Sequence, residues 1–158
     1  MIVINFNVEY IRINMFKIDR RIEVVNHPRL NKTCIAKRNI KRNERLYYWG
    51  KDVGLVKDTD NDYMLTVCDY SSSIDPTFFA ESYLQFANAP GPDEKTNITP
   101  TKKNKKQDGL ISQEFRALCN ISKGCQILWS YGGEPEWFDE RNIKRINCET
   151  LDMPCRRK

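Results

Sequence analysis

The stretch RALCNISKGCQILWSYGGEPEWF, residues 116–138, alternates short apolar runs with turn residues. Ala117 and Leu118 open it, Lys123-Gly124 interrupts it, Ile127, Leu128 and Trp129 resume it, and Tyr131-Gly132-Gly133 ends it. Apolar runs this short, bounded by glycine, predict two strands joined by a tight turn, with Tyr131 buried where the second stops.

Working outward, the 158 residues around this stretch amount to one domain, long enough to bury a core without staples. The run from Ile2 to Ile13 is broken by Asn5, Asn7, Glu9 and Arg12, so it reads neither as a signal peptide nor as a membrane span. The expectation is a soluble intracellular protein without a membrane segment. The six cysteines contain no C-x-x-C pair and read as reduced core thiols. Only Cys148 and Cys155 follow Tyr131, and two thiols cannot close a tetrahedral zinc site, so no metal is expected. The formal charge is +5. Basic residues gather at Lys37, Arg38, Lys41, Arg42 and Arg45, at Lys102, Lys103, Lys105 and Lys106, and in the tail from Arg156 to Lys158. Such clusters are either solvated loops or a surface that attracts a polyanion such as nucleosomal DNA.

From the N-terminus, near-alternation over Asn7 to Ile13 predicts a half-buried strand. Ile22 to Val25 predicts a second, closed by His27-Pro28. His27, the single histidine, reads as a turn residue. Tyr63 to Val67 predicts another strand. Asp75-Pro76 has the form of a helix start, and Phe79, Tyr83 and Phe86 share one face, which predicts a short helix to Phe86. Asn88-Ala89-Pro90-Gly91-Pro92 is composed of turn residues. The lysine-rich run from Pro100 to Asp108 predicts a hairpin tip between a strand at Asn97 and a strand starting at Leu110 or Phe115. Glu134 to Ile146 predicts a helix with acidic residues at its N-terminal end.

In residue order the closing stretch resembles the C-terminal signature of SET-type protein-lysine methyltransferases, in which an I-x-K-G-x-x-I/L turn leads to a tyrosine in an x-Y-G corner. Ile121, Lys123, Gly124, Ile127, Leu128, Tyr131, Gly132 and the following Trp137 match. The first half of that fold carries a G-x-G loop followed by spaced Ala, Ile, Glu, Leu and Gly. Ala36, Ile40, Glu44, Leu46 and Gly50 stand at matching places, and Asn31 and Thr33 replace the two glycines. Phe86, Asn88 and Asn97 match the family's asparagine segment, with Gln85 and Ala89 in place of its Arg and His. The missing His and the interval between the asparagines look more like the divergent PR-type branch.

The resemblance implies a mostly β SET fold with a few short helices, small curved sheets lying around a knot-like C-terminal threading. It implies an N-terminal strand extension over 1–21, a SET-like catalytic domain over 22–142 and a basic tail over 143–158. The implied activity is methyl transfer from S-adenosylmethionine to a protein lysine, of a histone or another lysine-bearing protein, with a histone substrate placing the enzyme in the nucleus. Tyr131 would be the catalytic residue. Asn31, Lys32, Thr33, Asn88, Ala89 and Tyr131 would bind the cofactor, and Tyr63, Trp129 and Trp137 would wall the substrate channel. A lysine amine has a pKa near 10.4, so deprotonating it at pH 7 costs roughly 4.6 kcal/mol. An apolar channel and an adjacent sulfonium both lower that cost. Trp129, bulky and two residues before Tyr131, implies a low methylation state or an obstructed channel. Two rival readings stand beside this one: a SET-fold module that binds chromatin or a protein partner without catalysis, and a basic β-rich nucleic-acid binder.

Overall fold

The computed structural model describes residues 16–132, the segment 136–140, and 144 and 146; of 136 and 137 it describes the backbone. The strand expected over 7–13 and most of the basic tail lie outside the described residues.

The chain is mostly β. Strands β1 (Ile22–His27) and β2 (Asn31–Ala36) form an antiparallel pair. A second antiparallel sheet has the order β4-β5-β3-β7-β6, with β3 at Arg45–Asp52, β4 at Leu65–Thr66, β5 at Ser73–Asp75, β6 at Ile98–Gln107 and β7 at Leu110–Ala117. A 3-10 turn spans Tyr83–Phe86, and one short helix, α1, spans Glu136–Glu140. No helix among the described residues is long and apolar enough to cross a membrane.

Local chemistry accounts for the regular parts. His27 is buried, and its Nδ1 accepts the amide hydrogens of Arg29 and Leu30, which closes the β1–β2 turn as expected of a turn histidine. In β3, Leu46, Tyr48 and Gly50 recur with period two on the core face. At Gly50 a Cβ would stand 2.3 Å from the Asp75 carbonyl oxygen, so only glycine lets β3 and β5 approach. Asp108 and Gly109 both take positive φ, 51° and 77°, as a two-residue hairpin turn requires. Phe115, fully buried, touches the rings of Tyr48 and Trp129 and contributes roughly 1.5–3 kcal/mol of apolar burial.

Parts of the fold depart from the sequence reading. No helix starts at Asp75: its carboxylate accepts from the Thr77 amide and the Asn61 side chain, turning the chain away. Ser82 Oγ then donates to the Trp49 carbonyl, and the Gln85 amide binds the carbonyls of Phe79 and Ser82. The Gln85 bonds, with turn bonds from Phe79 N–H to Pro76 and from Ser82 N–H to Phe79, satisfy backbone groups that a helix would have satisfied. The lysine run 102–106 is not a tip but the middle of the edge strand β6, and the tip is Asp108-Gly109. The strand expected over 63–67 is reduced to Leu65–Thr66. Of the expected C-terminal helix the described part is Glu136–Glu140. Among the thiols Cys34 is buried, Cys68 and Cys119 are exposed, and Cys125 is disulfide-bonded, which corrects the all-reduced reading.

The stretch after β7 is not a hairpin. Ile121 and Ile40 exchange backbone bonds of 2.8 and 2.9 Å, Ala36 N–H donates to the Cys125 carbonyl and Ile127 N–H to that of Cys34. On its other side Asn97 N–H donates to the Leu128 carbonyl, and Trp129 N–H to that of Asn88. Residues 125–129 therefore pass between β2 and two upstream segments.

Candidate active site

That passage builds a cavity of about 720 Å³. Tyr131 reaches its wall because Leu128 pairs in parallel with Asn88, and the Tyr131 hydroxyl donates to the Ala87 carbonyl at 3.0 Å. Asn88 is oriented by its amide nitrogen, which donates to Thr33 Oγ1 at 3.0 Å and lies 3.5 Å from the Lys32 carbonyl. Asn97 holds the passing strand from behind: its amide donates to the Gln126 carbonyl at 2.7 Å, and its oxygen accepts from Leu128 N–H at 2.8 Å.

Six of the residues chosen from the sequence line this cavity together: Asn31, Lys32, Tyr63, Asn88, Trp129 and Tyr131. Asn31 takes the left-handed conformation, φ 69°, that a glycine would otherwise supply. Thr33 keeps strand geometry; it is fully buried behind the wall, and its hydroxyl donates to Gln126 Oε1 at 2.7 Å. It supports Asn88 rather than facing the cavity. Ala89 is buried and is not among the lining residues. The side chain of Trp137 lies outside the described residues.

Phe86 and Tyr48 also line the cavity, although the sequence reading did not name them for the site. Phe86 packs edge-on against Tyr63 with centroids 6.0 Å apart, and the Lys32 ammonium sits 5.3 Å from its ring centre, within cation–π range. Tyr48 donates its hydroxyl to the Tyr63 carbonyl and so ties the cavity rim to β3. Burial, then the neighbouring phenols of Tyr131 and Tyr63, holds the Tyr48 pKa well above its ordinary value, so it stays a neutral donor. The signal for Tyr48 was the period-two pattern with Leu46; its bond to a carbonyl fifteen residues on had none.

Trp129 lies edge-to-face on Tyr131, Phe115 and Tyr48 with centroids 5.1, 5.2 and 6.3 Å away, and Tyr131 stacks parallel to Phe138 at 6.5 Å. The site is an aromatic wall bearing a phenol, facing amide and carbonyl groups, with Lys32, Lys57 and Asp62 as its charged members. Such a wall favours an apolar or cationic chain, and its polar groups can orient an amine.

No family model and no curated protein matches the chain. Among solved structures it is similar to the methyltransferase domain of human PR domain-containing protein 2, with a TM-score of 0.48 and 20% identity over 77% of this chain and 83% of that one. It is also similar to a chain of the Chaetomium thermophilum polycomb repressive complex 2, with a TM-score of 0.49 and 14% identity over 72% of this chain and 15% of that one.

Proposed function

We propose that the chain is a SET-type methyltransferase that moves a methyl group from S-adenosylmethionine to a lysine side chain of a protein, a histone being the favoured substrate class and the nucleus then its compartment. The observation that carries this reading is the meeting of Tyr131 and the Asn88 segment, forty-three positions apart, at one cavity.

The residues present suit the donor. The cavity falls within the roughly 300–1,000 Å³ typical of small-molecule sites. Lys32 offers an ammonium for a carboxylate, the carbonyls of Lys32 and Ala87 offer acceptors for an ammonium, and Phe86 and Trp129 offer ring faces. When bound, S-adenosylmethionine supplies an electrophilic methyl on a sulfonium. Tyr131 commits its proton to Ala87, so toward an incoming amine its oxygen acts as an acceptor that aims the nitrogen. Trp129 and the rings packed on it exclude water from the lysine stem, with the exposed Tyr63 at the rim, and disfavour its ammonium form, which makes the neutral nucleophile easier to reach. Alignment of the amine is what these groups contribute, and alignment is where such a displacement gains most.

A binding module without catalysis is the second reading. The engagement of the Asn88 amide by Thr33 and Lys32 within the protein favours it. Calorimetric titration with S-adenosylmethionine separates the two, since the enzyme binds it and the module does not. Transfer of a tritiated methyl to histones then tests the assignment: Tyr131→Phe is expected to lower it about 10²-fold. Unchanged transfer by that variant removes Tyr131 from the mechanism.

A further inference from the structure

Two of the basic clusters of the sequence lie among the described residues, and their surroundings differ. In the β6 cluster Lys106 pairs with Asp52 at 3.1 Å, and Lys102, Lys103 and Lys105 border a depression they share with Asp69 and Glu114. Three carboxylates, Asp52, Asp69 and Glu114, thus stand beside its four lysines, of which Lys106 alone is ion-paired among the described residues. The loop after β2 is different. Ile40 and Ile121, both buried, pair their backbones, Arg42 N–H donates to Asn120 Oδ1 at 2.9 Å and Lys123 N–H to Asn39 Oδ1 at 2.9 Å. Two loops far apart in sequence thus form one rigid knuckle. Glu44, the carboxylate bound there, is taken by Arg21 and Arg38. Lys37, Lys41, Arg42 and Lys123 are exposed, with no carboxylate partner among the described residues.

We infer that this knuckle is a docking surface for the phosphate backbone of a nucleic-acid duplex. Four cations on a pre-ordered support release counterions without the cost of ordering a loop. The residues 37–43 and 118–124 contain no aromatic side chain, so nothing there stacks on unpaired bases, and a duplex is favoured over a single strand. Neither cavity described above is lined by the four residues. Lys37 lies about 20 Å along β2 from Asn31 at the cavity, far enough for duplex and cavity ligand to be held together. Recognition is through phosphates and therefore independent of sequence.

The test uses the full chain and a fluorescent duplex of about 20 base pairs and arbitrary sequence, followed by anisotropy. Four phosphate contacts predict a slope near −3.6 for log affinity against log salt, about a 10²-fold loss between 50 and 200 mM. Combining Lys37→Glu, Lys41→Glu, Arg42→Glu and Lys123→Glu is expected to weaken binding about 10²-fold or more, and Lys102→Glu with Lys103→Glu and Lys105→Glu to change it less than about threefold. If circular dichroism finds the four-glutamate variant unfolded, the four-alanine variant replaces it, with about tenfold weaker binding expected. A flat salt dependence, full affinity in the knuckle variant, an equal loss in the β6 variant, or tighter binding of polyglutamate than of duplex would each overturn the inference.

Discussion

The β6–β7 hairpin and the segment 121–131 support the same cavity and are held in opposite ways. The hairpin is a ladder from Ile98↔Ala117 to Gln107↔Leu110, broken once by a bulge between Pro100 and Asn104 and closed by its own two-residue turn. Residues 121–131 have no long ladder. They are tied by single pairings to Ile40, Ile35 and Asn88, and by the side chain of Asn97. A ladder spreads its stability over many equivalent bonds and tolerates the loss of one. Scattered pairings concentrate it, but they are what brings residues from three parts of the chain to one wall.

The difference should be largest at the two asparagines of these regions. Asn97→Ala leaves the Gln126 carbonyl and the Leu128 amide without their partner and is expected to cost about 2–3 kcal/mol in urea unfolding. Asn104→Ala, which removes an exposed 2.8 Å bond to Asp69, is expected to cost less than about 1 kcal/mol. Equal losses would mean that the threaded segment is no more dependent on individual contacts than the hairpin.

A smaller effect is expected from Glu44, beneath the loop that pairs with Ile121. Hydrogen bonds from Arg38, the Lys41 amide and Arg21 hold its pKa down at about 2 from 4.5. The folded-state value is the lower one, so the stabilisation is complete above about 4.5 and is lost as the pH falls through about 2. Its partner Arg38 is half exposed, so screening limits the contribution to about 1 kcal/mol. Glu44→Gln should flatten that acid limb in part, because Asp52, Asp69 and Asp75 are also depressed and remain. An acid limb unaltered by the substitution would show that the ion pairs at Glu44 contribute nothing.

The smallest effect belongs to the hairpin. Ser112 Oγ is buried and has no hydrogen-bond partner among the described residues. Ser112→Ala should leave thermal unfolding unchanged or raise stability by up to about 1 kcal/mol. A clear loss would reveal a hydrogen bond that the ladder depends on.

What could be read without coordinates follows the same division. The β1–β2 turn at His27-Pro28, the β7 strand and Tyr131 at the end of its apolar run were legible because each is set by neighbours in sequence. Six of the residues named for the site from the resemblance line the cavity, and of these Asn88 and Tyr131 stand in the matched string itself. Strand β6 was expected only near Asn97, because the lysines beyond have neither the alternation nor the propensity of a strand. Its pairing depends on the free edge of β7 and on the buried Gln113 amide, which binds the carbonyls of Thr101 and Lys103 at the bulge. The helix from Asp75 was mistaken because its cap signal is genuine but is spent on a turn.

The sequence by itself determined the turns, the period-two faces of β3 and the inventory of phenols, amides and ammonium groups, since these depend on chemistry a few residues wide. Only the tertiary structure decided that Asn88 meets Thr33, that Tyr48 holds the rim at Tyr63, and which lysines keep a neighbouring carboxylate. Those outcomes depend on which distant backbone satisfies residues 121–131, and a hydrogen bond between segments dozens of residues apart leaves no local trace in either of them.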